Sequence, residues 1–444
     1  MNPLLGRKQI NRLAIPALLA GITEPILSIT DTAIVGHIPE NGVESLAAAG
    51  IVGSFLSMLV WILGQTSSAL SAIVAQYYGA EKLEELRSLP SQTITVNVLV
   101  GILLLTLTLP FSSSIFGLLN ASGDIMALSL KYYHIRAWGF PLTLFVFGVM
   151  GVFQGLQNTS RPMIIALTGA LLNIVLDLIL VFGISGWVPA MGLEGAAWAS
   201  LISQAAMVVV AFLFLLRTRS IPMLPSLTAH PDLLRVLGMA GNLFLRSLAL
   251  NIALLFAVRQ AAALGDAVIG AHTIAINLWL FAAFFIDGYS VAGKILAGRF
   301  LGAKDYLSLK ELAHTVMIFG LAITGGLMFV GIVLYEQIGH WFSADYDVLL
   351  AFKHMFIWVI TGLPICAVAF IYDGIFKGLG ETKLLRNVLV LSTFLGYLPF
   401  LYLTQFMGWG LPGIWAALML WMILRGGTLV WKFRRDFYPQ AQKT

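Results

Sequence analysis

Residues 166–183 read ALTGALLNIVLDLILVFG, an apolar run broken by Asn173 and Asp177, which stand one helical turn apart. A run of this length and apolarity suits an α-helix crossing the roughly 30 Å hydrocarbon layer of a bilayer. An ionised carboxylate near the middle of a membrane costs roughly 2.5–3.5 kcal/mol even on the lenient insertion scales, so Asp177 needs a reason to be there. The spacing of four places Asn173 and Asp177 on one helix face. A second acid, Asp31, interrupts an equally apolar stretch, ILSITDTAIVG at residues 26–36. Two such acids, with no fixed cation beside them in sequence, point to a site for a mobile cation. Thr30 and Thr32 offer Asp31 polar contacts of a purely structural kind, which is the competing reading.

Composition agrees with a membrane chain. It is 59% hydrophobic and only 11% charged, with a mean hydropathy of +0.90, far from the balance of soluble domains. Twelve apolar runs are long enough to span, near residues 13–35, 47–74, 91–118, 130–156, 161–184, 193–216, 235–259, 267–300, 311–340, 348–376, 384–406 and 409–431. The longest hydrophilic stretch, near 217–236, leaves no room for an ATPase module, and no Walker-type glycine loop is present. Transport is therefore expected to be secondary.

Of the 26 Lys and Arg, Lys131, Arg136, Arg259 and Lys353 fall on one side of the membrane, and Arg246, Lys294 and Arg425 fall within spans. The rest cluster on the other side, at segments such as Arg7–Lys8, Lys82–Arg87 and Arg434–Arg435. By the positive-inside rule this predicts both termini in the cytoplasm, in a bacterial inner membrane, with the first span acting as its own insertion signal. The net charge of +5 is spread over cytoplasmic turns and calls for no nucleic-acid partner. The single Cys366 allows no internal disulfide or cysteine metal site.

The chain repeats itself. Gly139-Phe140-Pro141 returns as Gly362-Leu363-Pro364, Gly79-Ala80-Glu81 as Gly302-Ala303-Lys304, and Gly155-Leu156 as Gly378-Leu379, all at an offset of 223. Gly192 and Gly195 return as Gly410 and Gly413 at 218. Six spans per repeat predict parallel repeats related by an axis along the membrane normal. The expected organisation is an all-α integral membrane protein with twelve transmembrane helices in two six-helix bundles related by pseudo-two-fold symmetry. The bundles cover residues 1–216 and 235–444, joined by a cytoplasmic linker at 217–234 that holds Pro222, Pro225 and Pro231.

Asp31, Asp177 and Ser200 sit about five to seven residues from the outer ends of their spans. At about 1.5 Å per residue this is nearly one depth, so three helices of one half are able to share a cavity. Glu24, two turns before Asp31, is a candidate additional protonation site, and Pro16 and Pro25 are candidate bend points of the first span. The second half is nearly charge-balanced. Arg246, Asp287, Lys294 and Asp373 read as ion pairs or gating contacts, with Asp373–Lys377 and Asp287–Lys294 as local partners. His272 is the one histidine well inside a span. No histidine shows metal-ligand spacing, no cofactor is indicated, and no nucleophile–base arrangement suggests an enzyme.

These residues, in this order, resemble the multidrug and toxic compound extrusion (MATE) family, particularly its DinF-like branch. The resemblance spans the whole chain. It is carried by Thr30-Asp31-Thr32-Ala33-Ile34-Val35-Gly36-His37, Asn173-Ile174-Val175-Leu176-Asp177, Gly195-Ala196-Ala197-Trp198-Ala199-Ser200 and Leu245-Arg246-Ser247-Leu248. It implies two bundles around a cleft that opens alternately to each side. It also implies a cation site at Asp31, Asn173, Asp177 and Ser200, with serine where many relatives carry threonine. Glu24 departs from the family pattern and bears on proton stoichiometry. The acidic pattern of the NorM-like branch is not evident in the second half.

The function expected is efflux of small organic, often cationic, compounds in exchange for H⁺, by a monomer in the lipid bilayer. Na⁺ at the same four residues is the alternative coupling ion, because carboxylate, amide and hydroxyl oxygens suit it; desolvated carboxylates favour H⁺. A flippase of lipid-linked precursors would need several Arg/Lys in its cleft, and the first half lacks them. An inorganic-ion antiporter would not need a large duplicated cleft. Met58, Trp61, Trp279, Phe284 and Phe285 are candidate lining for adaptable substrate binding.

Overall fold

The computed structural model describes residues 3–39, 41–218, 228–343 and 345–442. Pro222 and Pro225 of the linker and the side chain of Trp61 lie outside the described residues. Everything regular within them is helical, apart from one isolated antiparallel bridge between Ile184 and Val188. The first half contains α1 (Pro3–Gly36), α2 (Gly42–Leu63), α3 (Gln65–Gly79), α4 (Leu89–Thr108), α5 (Ser112–Leu118), α6 (Gly123–Arg136), α7 (Gly139–Gly155), α8 (Ser160–Phe182) and α9 (Gly192–Leu216). The second contains α10 (Leu233–Ala263), α11 (Asp266–Gly302), α12 (Tyr306–Val333), α13 (Tyr335–Phe342), α14 (Tyr346–Leu379), α15 (Thr382–Leu391), α16 (Leu398–Phe406) and α17 (Gly410–Ala441). Among the described residues eleven helical stretches are long and apolar enough to span, and α6 with α7, bent by 46° at their break, makes the twelfth. The all-α, twelve-span expectation holds.

Packing divides the chain into two compact units. One holds Leu19–Tyr77 and Lys82–Ala240; the other holds Met1–Leu18, Tyr78–Glu81 and Gly241–Thr444. Thus α1 changes unit between Leu18 and Leu19, and α10 between Ala240 and Gly241, inside continuous helices rather than in the linker. α1 also runs unbroken through Pro16 and Pro25.

Helix α8 shows why these helices fold as they do. Leu171, Val175 and Leu178 are exposed, whereas Gly169, Ala170, Asn173, Asp177 and Val181 are buried. Apolar side chains facing outward satisfy lipid, and the polar ones face protein, the reverse of a water-soluble helix. With little hydrophobic drive between helices in lipid, close backbone packing at small residues takes over.

The duplication is visible in that packing. A Cβ at Gly151 of α7 would come 2.7 Å from the Ser67 carbonyl oxygen of α3, and one at Gly155 2.9 Å from that of Ser71. At the same offset, Gly374 and Gly378 of α14 abut the carbonyls of Ser290 and Lys294 of α11. Backbone turns repeat as well. Glu81 and Lys304 take φ of 60° and 56°, Gln157 and Gly380 62° and 80°, and Gly192 and Gly410 54° and 57°. Gly374→Ala therefore forces α11 and α14 apart. It is expected to lower stability by about 1–3 kcal/mol, read as a lower midpoint of thermal unfolding in detergent. An unchanged midpoint would mean that this crossing tolerates a methyl group.

Candidate cation site

Asp177 is 1% exposed and Asn173 and Ser200 are also buried. Asn173 and Asp177 come from the inward stripe of α8. Ser200 comes from α9, which can approach because Gly195 leaves room for the α8 backbone. A Cβ there would stand 2.5 Å from the Leu180 carbonyl oxygen. The Asn173 amide Nδ2 donates to Ser200 Oγ at 3.4 Å.

Asp31, half-buried on α1, brings its carboxyl against that of Asp177, within reach of a shared hydrogen bond. Among the described residues no donor reaches either oxygen of Asp177, and none reaches Oδ1 of Asp31. Thr30 and Thr32 do not supply one. Their hydroxyls donate along the helix to the carbonyls of Ile26 at 2.8 Å and Ser28 at 2.6 Å. The competing reading, in which the two threonines satisfy Asp31, finds no support in these bonds. Two acceptor-only carboxylates face each other, an arrangement that a proton or a hard cation between them would complete.

The structure brings two further residues to the pair: Arg136, which the sequence places near an outer span end, and Tyr132, which sequence reasoning passed over. Arg136, at the end of α6, exerts its charge on both carboxylates. Tyr132, one turn earlier, is 6% exposed and lies in the field of the same two acids; the guanidinium stands 5.9 Å from its ring centroid. No fixed cation stands beside the acids in sequence, and the one that acts on them is remote in the chain. Arg136 lies near a span end in the sequence, and only the packing of α6 in this unit brings it close. The usable signal was the spacing of four between Tyr132 and Arg136, the same as between Asn173 and Asp177. Glu24 is exposed on α1.

In the second half, Asp373 of α14 collects cations from three helices. Arg246 of α10 places Nε 2.9 Å and Nη2 2.6 Å from Asp373 Oδ1. Lys377, one turn along α14, stands 3.0 Å from Oδ2, and Arg425 of α17 stands 3.6 Å from Oδ1. The Asp373–Lys377 pair is thus present, joined by two arginines from far along the chain. Lys294 is buried, while Asp287, expected as its partner, is exposed on α11 and acts on it as a nearby charge. His272 is fully buried against the Trp415 ring, 5.9 Å between centroids.

A bundle of apolar spans with an acid pair enclosed in one half is the architecture of a multi-pass membrane transporter. The MatE family model matches twice, at residues 16–179 and 243–403, and the chain belongs to that family. It is 28% identical to Protein DETOXIFICATION 44, chloroplastic, of Arabidopsis thaliana, over 97% of this chain and 83% of that one. It is 27% identical to DNA damage-inducible protein F of Escherichia coli K12, over 97% of this chain and 92% of that one. A multidrug resistance MATE family transporter solved in an outward-facing conformation superposes with a TM-score of 0.89 at 19% identity, covering 99% of this chain and 97% of its own. The two matches of one model agree with the repeat read from the glycine motifs.

Proposed function

We propose that this chain is a secondary active efflux antiporter. It exports organic, often cationic, compounds in exchange for H⁺ by alternating access, as a monomer in a bacterial cytoplasmic membrane with both termini inside. The observation that carries the reading is the facing pair Asp31–Asp177, in which both oxygens of buried Asp177 lack a donor among the described residues. A group that must change its proton or cation occupancy in every cycle needs this incompleteness, because a satisfied ion pair has no reason to let go.

The pair drives transport only through a difference in affinity between the two states of the protein. Each proton entering down a one-unit pH gradient supplies about 1.36 kcal/mol. A potential of about 100 mV adds roughly 2.3 kcal/mol. Arg136 offsets part of the negative charge of the cluster, and Tyr132, Asn173 and Ser200 supply polar contacts when occupancy changes. Glu24, Pro16 and Pro25 are assigned supporting roles, in stoichiometry for the acid and in bending of α1 for the prolines. Na⁺ is the competing ion, for which Asn173, Ser200 and the carboxylates present oxygen donors.

The test is efflux of a cationic dye from proteoliposomes under a pH gradient and a Na⁺ gradient imposed separately. Efflux under the pH gradient alone is the expected result. Efflux that follows only the Na⁺ gradient transfers the same residues to Na⁺ coupling.

A further inference from the structure

In the unit that holds Asp31 and Asp177, two enclosed polar atoms of opposite kind lack partners beside one helix break. Arg136 ends α6 and Gly139 begins α7, with a bend of 46° between the two helices. Arg136 Nε, a donor, reaches no acceptor among the described residues, and Gln204 Oε1, an acceptor, is reached by no donor. Gln204 stands one turn beyond Ser200 on α9, which packs against both α6 and α7. Its amide lies on the backbone of buried Gly139. A Cβ there would overlap Oε1 and stand 3.0 Å from Cδ and 3.2 Å from Nε2. The unmet acceptor is therefore held against a residue three positions past the unmet donor. An enclosed polar group without a partner is costly to keep. Keeping two complementary ones at one break is explained if they meet in another state of the protein.

Other polar groups on these helices are engaged elsewhere. Glu194, the acid in the first turn of α9, lies 3.5 Å from Lys131, and a ring nitrogen of His134 lies 3.3 Å from Ser112 Oγ. What acts with Arg136 in this structure is the pair Asp31–Asp177, together with the Tyr132 ring at 5.9 Å. The second half supplies a comparison. There Arg136 corresponds to Val359, and Gly139 to Gly362. A Cβ on Gly362 would overlap the Met419 sulfur and stand 2.7 Å from its Cε. Where no arginine precedes the glycine, an apolar side chain fills the contact. Packing alone therefore does not call for the amide of Gln204.

We propose that Arg136 uses two partners in turn: the Asp31–Asp177 pair while the pair holds no cation, and Gln204 Oε1 once a cation occupies it. A cation on the pair weakens the charge that holds the guanidinium, and the amide oxygen then accepts from Nε–H. Gln204 is thus a positioning residue, which favours occupancy of the pair through Arg136 rather than by touching the ion. The use of this exchange in coupling rests on the efflux reading; the exchange itself does not.

The experiment compares the full native chain in detergent with Asp31→Asn/Asp177→Asn, whose pair is permanently neutral, each with and without Gln204→Met. Methionine is unbranched and flexible, and it suits such a glycine contact in the second half. Gln204→Met should leave the unfolding midpoint of the native chain within about 1 °C and lower that of the neutral-pair chain by about 3 °C or more. Adding Arg136→Gln to the neutral-pair chain should abolish that loss. Equal effects in both backgrounds, including none in either, overturn the proposal, as does a loss that survives Arg136→Gln. Where the doubly neutral chain does not fold, Asp177→Asn alone replaces it, read by the nitrogen-15 resonance of Arg136 Nε–H, assigned by its absence from Arg136→Gln. Gln204→Met should move that resonance in Asp177→Asn but not in the native chain, and the same response in both overturns the proposal. Dye efflux under a pH gradient is measured in parallel. Normal efflux without the Arg136–Gln204 coupling removes only the exchange of partners. The coupling without gradient-driven efflux removes the antiporter reading and leaves the exchange.

Discussion

Asp177→Asn and Asp31→Asn should each reduce gradient-driven efflux to the passive leak while leaving folded protein in the membrane. The amide keeps the size of the protonated carboxyl, so packing around α8 survives, but it can no longer take up and release a proton. The expected effect is large because, on the proposed coupling, the whole driving force passes through this pair. With a one-unit pH gradient and about 100 mV, one proton supports at most a roughly 500-fold gradient of a neutral substrate, and without titration it supports none. Substrate binding by the variants, measured by fluorescence polarisation in detergent, should persist. Normal uphill efflux by either variant would show that its carboxylate is not the coupling group.

Asp373→Asn should act on stability instead. Removing this carboxylate charge leaves Arg246 and Arg425 buried without their anion, and breaking a buried ion pair on one side costs about 3–5 kcal/mol. The expected result is a marked drop in the unfolding midpoint in detergent, or failure to accumulate folded protein. The Asp177→Asn chain, which removes a charge facing another of the same sign, should unfold no earlier than the native one. Should Asp373→Asn instead unfold normally and abolish a substrate-linked proton release that Asp177→Asn retains, the coupling site belongs to the other half.

The contrast between these two acids also shows how far the sequence can be read. Span positions and the shared face of Asn173 and Asp177 follow from helical periodicity, which is a local property, and they appear where expected. The Asp373–Lys377 pair was equally legible, because four residues make one turn. Arg246 and Arg425 were not assigned to Asp373, since the Arg246 partnership spans 127 residues and depends on which faces of α10, α14 and α17 meet. Arg136 was set aside for the same reason, as depth along a helix does not tell which neighbour it will face. The alternative in which Thr30 and Thr32 satisfy Asp31 fails because a helical hydroxyl has a carbonyl four residues back within reach, whereas the side chain of an adjacent residue projects from a different face.

The repeated glycine contacts and left-handed turns also carry a history. At the offset of 223, Asp31, Tyr132 and Arg136 correspond to Leu254, Met355 and Val359. In the other direction Arg246, Lys294, Asp373 and Lys377 correspond to Thr23, Ser71, Met150 and Gln154. Arg425 corresponds at 218 to Met207, and Ser200 to Leu418. Neither polar cluster has a charged counterpart in the other half, so neither looks like a worn copy of an ancestral site. The simplest ancestor is a single six-span unit with an almost uncharged interior, whose glycine seams and turns were inherited twice. Ionisable groups then entered each descendant at different positions, acids in one and an arginine-rich cluster in the other, so a common scaffold came to enclose two unlike chemistries.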